Sequence, residues 1–157
     1  MTRPPSLRIL FPPPLVYAGG FGIGWLLGRT WPIDLLPEGV RPVAVVLGWA
    51  LIAMGLGMTM TGLFTFLLVH TGILPNRPST TLVTTGLYRF TRNPMYVGMT
   101  LAYIGGVLLT DNAWCLAILF PVLAIIKHLV ILREEKYLTA VFGEVYTEYC
   151  ARVRRWV

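Results

Sequence analysis

The chain has 157 residues, enough for one domain, of which 55% are hydrophobic and 13% charged, with a mean hydropathy of +0.68 and a formal net charge of +6. A soluble domain of this size would expose large apolar patches, so the composition places the chain in a bilayer. The positive charge does not signal nucleic acid: the basic residues flank apolar runs, where the positive-inside rule and anionic headgroups account for them.

Residues 1–14 carry Arg3, Arg8 and five prolines, a pattern that predicts a semi-extended basic lead-in at headgroup level and no regular helix. Pro12, Pro13 and Pro14 interrupt the first apolar stretch, so no cleavable signal peptide is expected. A first span is predicted from about Leu15 to Leu27, with Trp31 as its furthest limit, short against the ~20 residues a crossing helix needs. Gly20, Gly24 and Gly28 put small residues on one face, where another helix can approach closely. Gly22 and Gly24 start a G-x-G but do not make a nucleotide loop, because the third glycine of that fingerprint would fall at Leu27 and no strand precedes it.

Trp31 to Pro42, with Asp34, Glu38 and Arg41, reads as an exposed loop. Val43 to Val69 is an uncharged run long enough to cross with tilt. Gly48, Gly55 and Gly62 recur at heptad spacing and predict a helix contact, with Met54, Met58 and Met60 filling gaps. His70 closes the span at the interface. Thr71 to Asn93, with Pro75, Pro78 and Gly86, is a long loop predicted to fold back against the membrane face. Met95–Thr110 and Ala113–Leu132, divided only by Asp111-Asn112, predict an antiparallel hairpin.

From Arg133 the tail is amphipathic: Leu138, Val141, Phe142, Val145, Tyr146 and Tyr149 form one stripe suited to an interfacial helix, with Gly143 allowing a change of direction. The expected fold is therefore an all-α integral membrane domain over 1–157. It has about four transmembrane helices, the last two a tight hairpin, and a C-terminal amphipathic cytoplasmic segment. With four crossings Arg3, Arg8, Arg77, Arg89, Arg92, Lys127 and the tail cations share one side, and Arg29 and Arg41 the other. Both termini are then cytoplasmic, at an inner membrane.

That topology puts two polar clusters on one face: Arg89, Arg92, Asn93 and Tyr96 from the loop, and Arg133, Glu134, Glu135, Tyr137 and Tyr146 from the tail. Taken singly, the arginines are lipid-phosphate anchors, the glutamates pair within a helical turn, and Tyr88, Tyr96 and Tyr146 form an aromatic belt. His70 and His128 share no metal-ligand spacing with each other or with Cys115 and Cys150, so no metal is expected. The two cysteines form neither a disulfide framework nor a CxxC and read as reduced packing residues.

Taken together, GLYRFTRNPMYVG and, some thirty residues on, REEKYLTAVFGEVYTEYCARVRRW closely resemble the signature of the isoprenylcysteine carboxyl methyltransferase and phospholipid methyltransferase family of integral membrane enzymes. The likeness covers residues 83 to 156. It implies transfer of a methyl group from S-adenosylmethionine to a lipophilic acceptor, an isoprenylcysteine-like carboxylate or similar. A phosphatidylethanolamine nitrogen or a thiol are the alternatives within that chemistry.

It also implies a cofactor half, 83–157, and an acceptor side, 1–82. The cofactor motif falls on Tyr88, Arg92, Asn93, Pro94, Tyr96, Gly98, Glu134 and Glu135. Asn93 stands where the family often has histidine and cannot shuttle a proton near neutral pH. Arg92 suits the cofactor's carboxylate, Glu134 or Glu135 its amino group and hydroxyls, and Tyr96 or Tyr146 its sulfonium. Gly98 would let the ligand approach the helix backbone. Glu134 is the candidate to act on the acceptor, with Arg133 and Arg152 orienting it. A nicotinamide-dependent reductase of sterol-reductase type and an inactive scaffold are the rival classes.

Overall fold

The computed structural model describes residues 12–68 and 81–156; among these the regular elements are all helical, with a single bridge between Asp34 and Asn112. The elements are α1 (Pro13–Thr30), α2 (Arg41–Leu68), α3 (Pro94–Thr110), α4 (Ala113–Ile125), a π-helical turn (Ile126–Ile131), α5 (Leu132–Phe142) and α6 (Glu144–Arg152). Short 3-10 turns cover Glu38–Val40 and Gly86–Arg89. Arg3 and Arg8 of the lead-in, His70 at the close of the second expected span, and Pro75, Arg77 and Pro78 of the long loop lie outside the described residues.

Two boundaries differ from expectation. Prolines were expected to keep residues up to 14 out of a helix, yet α1 begins at Pro13, with prolines in its first two positions. There the missing N–H has no intrahelical partner to lose, and the fixed φ already suits a helix. The amphipathic tail was expected as a segment separate from the last apolar run. Instead α4, the π-turn and α5 form one rod, and only Gly143, at φ 56, breaks the chain before α6.

The glycine spacings translate directly into helix pairs. A methyl group on Gly105 would lie 2.5 Å from the Gly48 carbonyl oxygen and one on Gly98 2.5 Å from that of Gly55, while Gly62 faces Met95. The seam has a heptad period on both sides, so α2 and α3 run antiparallel with backbones in contact. Gly20 faces Val122, Gly24 faces the backbone of Cys115 and Gly28 faces Asn112, which makes α1 and α4 antiparallel. The predicted hairpin therefore has different principal partners: α3 packs along α2, and α4 along α1. Tyr103 links the two pairs, its hydroxyl donating to the Cys115 carbonyl at 2.9 Å and its ring meeting Phe21 edge-on at 5.1 Å.

One end of the bundle is knotted. Asp111, in the left-handed region at φ 49, accepts from the backbone N–H groups of Leu35 and Leu36 at 3.1 and 2.9 Å. Asn112 caps α4 by accepting from the N–H of Trp114 and donates to the Gly24 carbonyl. The Ala113 N–H donates to Ile33. The expected loop at 31–42 is thus tied to the α3–α4 turn. By the helix pairings, the starts of α1 and α3 and the ends of α2 and α4 lie at the opposite end.

Two helical stretches, Glu38–Thr65 and Ala113–Phe142, are long and apolar enough to cross a membrane, and Pro94–Thr110 is a shorter apolar helix. Large apolar side chains such as Val46, Trp49, Phe64 and Phe120 face outward, as lipid-contacting residues do.

Candidate active site

The corner begins where the chain enters α3. Pro94, fully buried, occupies the first turn, and Asn93 sits just ahead of it without capping the helix through its side chain. Its amide instead donates to the Arg155 carbonyl at 2.9 Å. Thr91 donates its hydroxyl to the same carbonyl at 3.2 Å, and the Arg92 N–H donates to Arg154 at 3.0 Å. Tyr149 of α6 donates to the Tyr88 carbonyl at 2.6 Å. The last residues of the tail are thus laid against residues 88–93 with carbonyls as acceptors and, for three of the four bonds, the Thr91, Asn93 and Tyr149 side chains as donors.

Charge adds a second tie. Glu135 receives Nε and Nη2 of Arg155, both at 2.8 Å, in a bidentate fork, and Nη1 of Arg92 lies 3.2 Å away. Arg92 Nη1 also donates to the Cys150 thiol at 2.7 Å, while its buried Nε has no acceptor among the described residues. Glu134, one residue earlier, differs. Its carboxylate accepts from the Tyr96 hydroxyl at 2.9 Å and pairs with no described cation. Tyr96 is itself held from α1, where Tyr17 donates to its carbonyl at 3.3 Å and shares a hydrogen bond with Thr100.

The surrounding phenols are neutral. Burial pushes the Tyr88 hydroxyl well above its ordinary value, helped by the charge of Glu134. Burial raises Tyr146 as well, with Cys150 adding to it, and brings Tyr149 up to about 12 against the opposing pull of Arg92. Each is raised, so each stays protonated throughout the physiological range and serves as a donor or an aromatic face, not as a base. The fork to Glu135 raises Arg155 further.

Arg92, Asn93, Tyr96, Glu134 and Glu135 therefore converge, and Tyr88 and Tyr146 are buried beside them. Gly98 does not face this corner: it lies against Gly55 and Thr59 of α2, so its small size serves helix packing. Arg133 and Arg152 are exposed, and Arg152 folds back to the Glu148 carbonyl of its own helix. Sequence reasoning passed over Arg155, Thr91, Tyr149 and Tyr17. Arg155 was findable, since it closes the V-x-R ending of the tail motif; Tyr17 left no signal, being one aromatic in an apolar run.

Arg155→Ala should free the tail. Losing a charge-assisted fork costs about 1.5 kcal/mol or more, so limited trypsin digestion after Arg152 or Arg154 should quicken severalfold. Arg155→Lys should recover only part of the protection, because an ammonium cannot reproduce the fork. Equal cleavage rates in all three proteins would contradict this role.

A family model described as phospholipid methyltransferase matches residues 43–145, well over half the chain. The match takes in α2, which the sequence resemblance had left out, and stops within α6, short of Tyr146, Tyr149 and Arg155. No curated protein matches the chain. With membrane-length apolar helices, a polar corner joining the two signature segments and this match, the chain belongs to the phospholipid methyltransferase family, a family of membrane methyltransferases.

Proposed function

We propose that the chain takes its methyl group from S-adenosylmethionine and delivers it to a lipid-borne acceptor at the corner of Arg92, Tyr96 and Glu134. The observation that carries this reading is the unequal state of two adjacent carboxylates. Glu135 is neutralised by two arginines, whereas among the described residues Glu134 has only a neutral phenol against it. A half-buried carboxylate without a counter-charge is costly and favours a cation from outside.

The residues present fit the cofactor's zwitterionic end. Glu134 would hold its ammonium and Arg92, through the buried Nε–H that lacks an acceptor among the described residues, its carboxylate. Tyr88, Tyr96 and Tyr146 offer ring faces suited to a sulfonium. When bound, S-adenosylmethionine supplies a methyl group on a good leaving group, so this chain's part is to align the two reactants and exclude water. Glu135 and Asn93, expected as cofactor ligands, are engaged by Arg155 and act in this reading as the frame that fixes Arg92. Pro94 and Gly98 set the start and the packing of α3. Arg133 and Arg152, expected to orient the acceptor, are exposed and in this reading meet headgroups of the surrounding lipid.

The family description favours a phospholipid acceptor over the prenylcysteine-type carboxylate expected from sequence. The bundle is read as crossing four times. Arg89, Arg92, Lys127, Arg133, Lys136 and Arg152 lie at the end opposite Arg29 and Arg41, which supports a cytoplasmic site at an inner membrane. Calorimetric titration of the detergent-purified protein with S-adenosylhomocysteine and with NADPH tests the cofactor. Heat is expected with the first alone; silence with the first overturns the reading. Labelled methyl transfer should then appear in phosphatidylethanolamine rather than in prenylcysteine analogues or small thiols.

A further inference from the structure

The buried stripe of the long rod runs Cys115, Leu119, Val122, Ile126 and Val130, at steps of four and three as one α-helical face requires. Continued in α-geometry, the next residue at the centre of that face would be Arg133. Glu134 would stand about 100° round the axis, one residue further. The structure has the opposite arrangement: Arg133 is exposed, Ile131 is fully buried beside Val130, and Glu134 meets Tyr96. Between the two halves lies the π-turn Ile126–Ile131, in which the Leu132 N–H reaches back five residues to Lys127. A π-turn accommodates one residue more than an α-turn, so everything beyond it is set back by one position.

The geometry points to the π-turn as a positioning element: its one surplus residue aims the Glu134 carboxylate, in place of the Arg133 guanidinium, at Tyr96. The upstream half can then keep its face on α1 while the downstream half presents a carboxylate to the corner. In an unbroken α-helix one of these would be lost. The surplus is carried on the outer side, where Lys127, His128 and Leu129 are exposed and take no part in the core. That Glu134 contacts the cofactor rests on the function proposed above; that the turn sets which residue faces inward does not.

Two length variants and one labelling experiment decide the matter. Deleting Leu129 removes the surplus residue, lets the turn become α-helical and leaves both faces where they were, so affinity for S-adenosylhomocysteine should stay within about threefold of wild type. Inserting one alanine between His128 and Leu129 adds a second surplus residue, rotates Glu134 away and should weaken binding more than tenfold. A deletion as damaging as the insertion, in protein that elutes as a single species with wild-type helicity, overturns the proposal, as does a harmless insertion.

Should either variant fail to fold, full-length Arg133→Cys and Glu134→Cys proteins are treated with a water-soluble maleimide and read by peptide mass spectrometry, which scores Cys150 separately. Cysteine at 133 should label fast and at 134 slowly; the reverse overturns the proposal. If wild type itself binds no S-adenosylhomocysteine, the cofactor reading has failed, and the labelling order still decides the role of the turn.

Discussion

Glu134→Gln should lower affinity for S-adenosylhomocysteine about a hundredfold and reduce methyl transfer at least as much, in a protein that still folds. The amide has nearly the carboxylate's shape and keeps an oxygen to accept from Tyr96, whose hydroxyl donates at 2.9 Å. What is lost is the negative charge. Removing one member of a buried charge pair costs about 3 kcal/mol, equivalent to roughly a hundredfold in binding.

Glu135→Gln provides the contrast. Its carboxylate holds Arg155 and Arg92, so the variant should lose thermal stability and tail attachment first, with the smaller effect on the ligand. Calorimetric titration and thermal melting of both variants separate the roles. Wild-type affinity in Glu134→Gln would remove Glu134 from the site.

Gly98→Ala should be among the most destabilising single changes in the molecule. The added methyl would sit 2.5 Å from the Gly55 carbonyl oxygen and 3.0 Å from the Thr59 backbone nitrogen, so α2 and α3 must separate. Overpacking a close contact costs about 3 kcal/mol, which for a chain of this size lowers Tm by roughly 10 °C. Gly57→Ala is the matched control, because nothing lies within 4 Å of a methyl placed there. It should be neutral or slightly stabilising, since alanine favours a helix more than glycine does. Similar melting temperatures for the two variants in detergent would refute the backbone-contact seam.

The same glycines show what a sequence can and cannot convey. Gly20, Gly24 and Gly28 and the heptad of Gly48, Gly55 and Gly62 announced two close helix contacts, because a missing side chain repeated on one face has few other uses. Gly98 carried the same information in its spacing seven residues before Gly105, beside the ligand contact expected from its place in a functional motif. The meeting of Arg92 with Glu135 was legible from topology alone.

Arg155 was obscured by its neighbours: a basic residue in a basic tail reads as membrane orientation, and its fork exists only once the tail has folded back. The π-turn was out of reach. Ile126–Ile131 is a run of ordinary helix formers, and one surplus residue becomes apparent only when both faces of the rod have partners to align with. The exposed positions of Arg133 and Arg152 follow from that same alignment and from the local back-bond to Glu148.

The knot at Asp111 and Asn112 ties the turn between α3 and α4 to the link between α1 and α2 through Leu35 and Leu36, and to α1 itself through the Gly24 carbonyl. At the other end the closure is a tail held partly by side chains, with Arg155 as its clasp. The two ends of the bundle are thus fastened differently: beside Leu35 and Leu36 by a loop bound to a turn, and beside Tyr96 and Glu134 by a folded-back tail.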